Sequence, residues 1–160
     1  MTVFDASSIV LAWDDYPIDQ FPSLWDWIEE RINAKDIVFS AVTLEEVSHV
    51  SSDCHDWLQD AGVESIPVSS DILNLAAEIK DLIGIEDDNC HPDGVDENDI
   101  ILIATGKLLE HDVVSDEAEQ KTPPQNPRRK KVPAVCATEG IDVQCKNFVR
   151  YFKDGGAVFG

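Results

Sequence analysis

Acidic side chains stand at four separated places in the chain, most of them beside a short apolar run. They are Asp5, Glu46, Asp99 and the adjacent pair Asp116 and Glu117. Carboxylate oxygens are the ligands that hard divalent cations such as Mg²⁺ and Mn²⁺ prefer. If the fold brings these carboxylates together, their repulsion must be relieved by protonation or by a bound cation. The pattern therefore predicts a site for Mg²⁺ or Mn²⁺.

Each of these positions also has an explanation that involves no ligand. Asp5 could cap the helix that follows it, and Thr43 and Glu46 have the spacing of a capping box. Asp99 could be a negative charge at a helix N-terminus, an arrangement worth about 0.3–1 kcal/mol. Asp116 or Glu117 could cap a turn, and the sequence leaves open which of the two belongs to a site. The metal prediction therefore depends on all four places converging.

The elements that must position these residues are short buried strands separated by helices. Apolar runs predict strands at residues 3–4, 37–39, 66–68, 112–115 and 143–145, the third at a sheet edge because it contains Pro67. Strands that alternate with helices form a parallel sheet covered on both faces. The predicted fold class is therefore α/β, with three α/β/α layers around a central parallel sheet. Ligands of such sheets bind beyond the carboxyl ends of the strands, where the acidic residues fall.

Helices are predicted where apolar residues recur at the spacing of one helix face. They are expected to begin near residues 21, 43, 69, 99 and 147, and the second is expected to continue to residue 58. Trp25 and Trp57 fall on such apolar faces and are predicted to lie in the core rather than to stack on bases. Residues 84–98 and 117–133 are rich in polar residues and Pro, which predicts a loop and a mobile loop, respectively.

The order and spacing of these motifs resemble those of the PIN domain family, which includes the VapC-like toxin ribonucleases. That family has an Asp after the first strand, with a Ser or Thr two residues later. A Glu lies early in the helix after the second strand, an Asp precedes an Ile-rich or Ala-rich helix, and a Ser or Thr precedes a last acidic residue. The matching residues are Asp5 with Ser7, Glu46, Asp99, and Ser115 with Asp116 or Glu117. The resemblance implies a single PIN-like domain over residues 1–160.

The resemblance also implies an activity, a metal and partners. The implied activity is that of a metal-dependent endoribonuclease that cleaves RNA phosphodiester bonds, as the toxin of a toxin–antitoxin pair. An antitoxin protein and a second copy of the chain are the expected partners. Asp5 and Asp99 would ligate Mg²⁺ or Mn²⁺ directly, whereas Glu46 and either Asp116 or Glu117 would ligate through water or orient the attacking water. The hydroxyls expected to hydrogen-bond the carboxylates are those of Ser7 and Ser115.

The net negative charge of the chain would restrict RNA binding to a small part of its surface. The chain has 32 acidic and 12 basic residues, a net charge of −20, which would repel a phosphate backbone if it were spread evenly. One dense basic run interrupts the acidic sequence, at Arg128, Arg129, Lys130 and Lys131. We expect this run to contact RNA, although a solvated loop or a contact with an acidic partner would explain it equally well.

Other classes of protein fit the sequence less well. No apolar stretch approaches the ~18 residues that span a bilayer, and four Cys without a C-x-x-C pair indicate a reduced, cytoplasmic protein. The spacing of Cys and His matches no familiar zinc site. Two alternatives stay open: a PIN-like binding module without catalysis, and a phosphatase or nucleotide-binding domain. The second is disfavoured because the sequence has no Gly-rich phosphate loop.

Overall fold

A five-stranded sheet forms the centre of the structure, a computed structural model that describes residues 1–159. Its strands are β1 (Thr2–Phe4), β2 (Ile37–Ser40), β3 (Glu64–Ile66), β4 (Asp112–Val114) and β5 (Cys145–Lys146). They lie in the order β3-β2-β1-β4-β5, and every neighbouring pair is parallel. The chain adds β2 and β3 on one side of β1, and then β4 and β5 on the other. The topological switch point, where such sheets bind ligands, therefore lies between β1 and β4.

Helices connect and cover these strands. In the described part of the chain they are α1 (Ala6–Asp15), α2 (Pro22–Asn33), α3 (Ala41–Val50), α4 (Ser52–Asp60), α5 (Ser70–Leu82), α6 (Glu97–Leu109), α7 (Val132–Cys136) and α8 (Phe148–Asp154). A short 3₁₀ helix occupies Pro127–Arg129. Among residues 1–159, no helix has both the length and the apolar character needed to cross a bilayer.

Side chains that alternate along the strands pack into two cores, one on each face of the sheet. On β1, Val3 belongs to one core and Phe4 to the other, and on β4 Val113 and Val114 divide in the same way. Helices α5, α6 and α7 supply the core that contains Val3, whereas α1 to α4 and α8 supply the core that contains Phe4. The predicted three-layer α/β/α arrangement with a central parallel sheet is thereby confirmed.

The helix expected from residue 43 to residue 58 is in fact two helices, and the predicted capping box is wrong. Helix α3 begins at Ala41, so Thr43 is a buried residue inside its first turn rather than its cap. The break falls at Ser51, whose Oγ accepts a hydrogen bond from the backbone N of Cys54 at 3.4 Å and caps α4. A Ser side chain that satisfies a free N–H in this way favours the start of a new helix.

The segment predicted to be a mobile loop is hydrogen-bonded to itself. Gln120 Oε1 accepts a bond from the backbone N of Lys131 at 2.8 Å, and Gln120 Nε2 donates to the carbonyl of Arg129 at 3.0 Å. The segment also contains the 3₁₀ helix and leads directly into α7. The single Gln side chain therefore joins the start of the segment to its basic end, which composition alone does not reveal.

Candidate functional site

Asp5 lies at the carboxyl end of β1, at the switch point of the sheet, and its side chain is only 4% exposed. It occupies the N-cap position of α1, yet its carboxylate makes no capping hydrogen bond. Instead, Asp5 Oδ2 accepts bonds from Ser7 Oγ at 2.6 Å and from Ser115 Oγ at 2.8 Å. Ser115 directly follows β4, so a hydroxyl from the neighbouring strand holds the carboxylate in place.

Burial raises the pKa of Asp5, and the hydrogen bonds from Ser7 and Ser115 oppose this rise. Within residues 1–159, no basic side chain forms an ion pair with this carboxylate. A buried carboxylate without a cationic partner is unfavourable. Asp5 therefore lies where a bound cation would relieve the cost of burying its charge.

Asp99 lies in the first turn of α6, where it forms a reciprocal capping box with Asp96. Asp99 Oδ2 accepts a bond from the backbone N of Asp96 at 2.9 Å, and the backbone N of Asp99 donates to Asp96 Oδ1 at 2.9 Å. Burial raises the pKa of Asp99 to about 8, helped by the negative charges of Asp96, Glu117 and Asp5. Asp99 therefore does cap the start of α6, as the explanation without a ligand requires. That role does not explain why its carboxylate lies near other acidic side chains.

Glu46 approaches the same group of acids from α3. Asn98 Nδ2 donates to Glu46 Oε1 at 2.9 Å, a bond that links α3 to the start of α6. Burial raises the pKa of Glu46, the bond from Asn98 lowers it, and the charges of Asp96 and Asp5 raise it further. Its neighbour Glu45 is exposed. The structure therefore brings Glu46, rather than Glu45, toward Asp5.

Glu117 is the residue that approaches from the end of β4. Its Oε2 accepts a hydrogen bond from the backbone N of Val132 at 3.1 Å, which places the side chain beside the start of α7. Burial raises the pKa of Glu117, the bond from Val132 lowers it, and the charge of Asp5 raises it again. Glu117 thus joins Asp5, Glu46 and Asp99 in one group, which we call the acidic cluster.

The side chain of Asp116 contacts the start of α8 rather than the acidic cluster. Its Oδ1 accepts a bond from the backbone N of Phe148 at 3.2 Å, at the start of α8. Burial raises the pKa of Asp116, and the carboxylate that raises it further is Asp15 rather than Asp5. Of the two acidic residues that the sequence left open, the structure brings Glu117 to the acidic cluster and assigns Asp116 to the support of a helix.

Two residues beside the acidic cluster escaped the sequence analysis, Asp96 and Asn98. Both fall within the segment 84–98 that was predicted to be a loop. Asp96, the N-cap of α6, raises the pKa of Asp99, of Glu46 and of Glu117. Acidic residues three apart before an apolar run are a capping signal, so Asp96 could have been found. The bond from Asn98 to Glu46 joins residues 52 positions apart and carried no local signal.

The donor chemistry of the acidic cluster fits Mg²⁺ or Mn²⁺, because every donor is a carboxylate oxygen. Across residues 1–159, no three His, Cys, Asp or Glu side chains already stand close enough together to enclose an ion. Mg²⁺ usually keeps several waters and is held by one or two carboxylates, so a closed cage is not required. The described Cys side chains are free thiols, and they form no zinc site with His.

Trp25, one of the aromatic residues that could have stacked on bases, packs in the interior, and the other three Trp pack against the core. Trp25 is 1% exposed and makes edge-to-face contacts with Trp13 and Trp57, with ring centroids 5.1 Å and 4.9 Å away. Such contacts stabilise a core beyond the area that the rings bury. The prediction is confirmed for Trp25, which lies in the core, whereas Trp57 is only partly buried and packs against that core.

Residues 2–159 match the sequence pattern of a family described as Domain of unknown function (DUF4411). The chain belongs to this family. The match spans both halves of the sheet and the whole acidic cluster. No curated protein matches this DUF4411 chain by sequence.

The DUF4411 chain is similar in fold to VapBC2 from Rickettsia felis bound to a DNA fragment from its promoter. The TM-score is 0.53 at 13% identity, and the match covers 91% of this chain and 97% of that chain. A toxin–antitoxin complex from Klebsiella pneumoniae gives a TM-score of 0.49 at 15% identity, with 79% and 94% covered. At such identities the Rickettsia comparison bears on the fold alone. The DUF4411 chain has a PIN-like, VapC-like fold, as its motifs predicted.

Proposed function

We propose that this DUF4411 chain is a metal-dependent endoribonuclease that cleaves RNA phosphodiester bonds. One observation carries the proposal: Asp5 is buried at the switch point of a PIN-like sheet, held by Ser7 and Ser115, and carboxylates from three other chain segments, at Glu46, Asp99 and Glu117, lie near enough for its charge to raise their pKa after burial has done so. No described basic side chain forms an ion pair with them. Such a concentration of negative charge is unfavourable for folding and is expected where a cation binds.

The residues of the acidic cluster would have different roles in metal binding and in positioning water. Asp5 and Asp99 would hold Mg²⁺ or Mn²⁺, which supplies a Lewis acid for the phosphodiester and lowers the pKa of water. Glu46, oriented by Asn98, and Glu117 would position the attacking water or bind the ion through water. The hydroxyls of Ser7 and Ser115 keep Asp5 fixed while substrate enters. Fixed carboxylates and hydroxyls of this kind reduce the reorganisation needed during reaction.

The direct test is cleavage of RNA by the purified chain. A fluorescent single-stranded RNA incubated with the protein and Mn²⁺ or Mg²⁺ is expected to yield shorter fragments, and chelation by EDTA is expected to stop their formation. Calorimetry should detect Mn²⁺ binding to the protein in the absence of RNA. Cleavage that is indifferent to EDTA, or release of inorganic phosphate from small phosphomonoesters without RNA cleavage, would overturn the proposal.

Ser115→Ala is expected to reduce the cleavage rate by about 10–100-fold, the usual effect of losing a residue that orients a metal ligand. Asp5 would keep only the hydroxyl of Ser7, and the pKa of its carboxyl would rise because the hydrogen bond that opposes burial is lost. Ser40→Ala is the matched control, since Ser40 is also buried at a strand end and its hydroxyl has no hydrogen-bond partner among the described residues. Equal rates for the two variants would contradict the assigned role of Ser115.

The proposal extends to a protein partner. VapBC2, whose fold this chain shares, was solved bound to a DNA fragment from its promoter. By analogy, and by the motifs of the PIN family, we propose that this chain is the toxin of a toxin–antitoxin pair and that it forms a homodimer in the cytoplasm. Expression of the chain alone should arrest growth, whereas expression with the protein encoded beside it should not. If a chain that cleaves RNA left the growth of the cells unaffected, the toxin role would be contradicted.

A non-catalytic PIN-like binding module is the second candidate. The observation in its favour is that no three side chains of residues 1–159 are already arranged to enclose an ion. The two candidates differ in one measurement, because a binding module would retain RNA or protein in the presence of Mn²⁺ without producing fragments. Fragments formed by the parent chain but not by an Asp5→Asn variant would exclude this alternative.

A further inference from the structure

The basic run, residues 128–131, is the densest group of positive charges in the sequence, and its side chains are not paired with described acidic side chains. The chain has 32 acidic and 12 basic residues, so acidic partners are abundant. Even so, among residues 1–159 no member of the run forms an ion pair with Asp or Glu. Lys80, Lys146 and Arg150 all have such partners. A cluster of unneutralised cations in so acidic a protein suggests an anion supplied from outside.

The side chains of Arg128 and Lys130 are hydrogen-bonded to neutral groups. Arg128 Nη2 donates to the carbonyl of Asn89 at 2.7 Å, and Lys130 Nζ donates to Thr138 Oγ1 at 2.9 Å. The backbone of the run is also fixed, because the backbone N of Val95 donates to the carbonyl of Lys130 at 3.1 Å. The backbone bond from Val95 therefore holds the run against the segment that precedes α6, whereas the side chain of Lys130 reaches the residues after α7.

Gly94 is required for this close approach. A Cβ at position 94 would lie 1.9 Å from the carbonyl oxygen of Arg128, so any other residue would push the two segments apart. Close backbone approach is one of the structural uses of glycine. The run is thus fixed on a second chain segment, and its position relative to the acidic cluster is set by the fold.

The other two members, Arg129 and Lys131, line a cavity of about 550 Å³. Glu117, which belongs to the acidic cluster, and Asp93 also line this cavity, together with Gln120. The positive charge of Lys131 lowers the pKa of Glu117, whereas burial, the largest cause, raises it. Arg129 Nε donates to His91 Nε2 at 3.3 Å. Two cations therefore share a cavity that opens next to the proposed metal site.

We propose that this cavity binds one backbone phosphate of the RNA, next to the phosphodiester at the acidic cluster, through Arg129 and Lys131. Arg128 and Lys130 do not line this cavity, and their side chains are hydrogen-bonded to Asn89 and Thr138 instead. The inference rests on the proposed function, which names RNA as the substrate. It assigns phosphate binding to Arg129 and Lys131 alone, although the four residues of the run look equivalent in the sequence. Arg and Lys are the residues that bind phosphate, and a guanidinium can do so with two parallel bonds. The cation pair would also offset the repulsion between RNA and the acidic cluster.

Two double variants test the division, each removing two positive charges from the same run. Binding of a short fluorescent single-stranded RNA is measured by anisotropy at several salt concentrations, with EDTA present so that no cleavage occurs. Arg129→Gln with Lys131→Gln is expected to weaken binding at least about ten-fold and to reduce the salt slope by about 0.7, the value for one phosphate contact. Arg128→Gln with Lys130→Gln, whose long-range charge effect is the same, should keep the parental slope.

The outcomes separate this inference from the proposed function. If the parent chain cleaves RNA but the two double variants bind it equally, the phosphate site is wrong and the nuclease stands. If the parent never cleaves RNA but the two variants still differ, the site stands without catalysis. Poly-glutamate serves as the rival anion: binding of poly-glutamate that depends on Arg129 and Lys131, without RNA binding, would overturn the inference in favour of an acidic protein partner. Thermal unfolding of both variants checks that each is folded.

Discussion

Asp5→Asn is expected to lower the rate of RNA cleavage more than about 100-fold, beyond the effect of losing a residue that merely orients a ligand. The substitution removes the negative charge at the centre of the acidic cluster but keeps the size of the side chain. The amide oxygen can still accept bonds from Ser7 and Ser115, so the local structure should persist. Initial rates with Mn²⁺, together with the affinity for Mn²⁺ by calorimetry, measure both consequences.

The matched control for this substitution is Asp116→Asn. It removes the same charge from a residue that is also partly buried and follows the neighbouring strand, but whose carboxylate bonds to the backbone of Phe148. The amide oxygen of Asn can accept that bond, so Asp116→Asn should keep most of the parental rate. If it instead abolished cleavage while Asp5→Asn did not, the site would lie on the α8 side of β4. Retention of the parental rate by Asp116→Asn would also exclude Asp116 as the fourth acidic position.

The centre of the sheet was predictable from the sequence because strands β1, β2 and β4 are buried and short. Val3, Phe4, Val113 and Val114 are all fully buried, so the strands read as plain apolar runs bounded by polar residues. The parallel order then follows from the helices between strands. The carboxyl ends of such strands meet at one edge, which is why the convergence of Asp5 with residues after β4 could be anticipated.

Bonds between distant residues limited the rest of the prediction. Thr43 and Glu46 have the spacing of a capping box, but packing of Thr43 into the interior takes precedence over that local signal. The approach of Gly94 to Arg128 and the bond from Asn98 to Glu46 depend on the tertiary structure. The mobile-loop prediction followed from composition, which contains no information on the side-chain bonds of Gln120. Local signals thus located the carboxylates, and long-range contacts determined how they are held.

Asp99→Asn is expected to abolish cleavage and, at the same time, to make the metal-free protein more stable at alkaline pH. The pKa of Asp99 is about 8 in the folded chain, raised mainly by burial, against an ordinary value of 3.8. Between these values the folded chain holds a proton that the unfolded chain has released. The stabilising contribution is therefore complete below about pH 4 and is lost as the pH rises through 8.

An Asn at position 99 cannot ionise, so the variant escapes this loss while its amide oxygen can still accept the bond from the backbone N of Asp96. The difference in free energy of unfolding should grow from near zero at pH 4 to about 2 kcal/mol at pH 8, after allowance for screening by water. That corresponds to about 4–8 °C in melting temperature. Asp99→Ala, which also loses the capping bond, separates the effect of charge from that of the cap.

At pH 8, Mn²⁺ should make the parent chain more stable than Asp99→Asn, the reverse of their order without metal. A ligand that binds only the folded state stabilises that state, and more so the tighter it binds. The parent chain is expected to gain melting temperature on addition of Mn²⁺, and Asp99→Asn is not. A stability difference that is independent of pH would show that burial does not perturb this carboxyl. If Mn²⁺ raised the melting temperature of Asp99→Asn as much as that of the parent, Asp99 would not bind the ion. The pH dependence of stability and the effect of Mn²⁺ can each fail without the other.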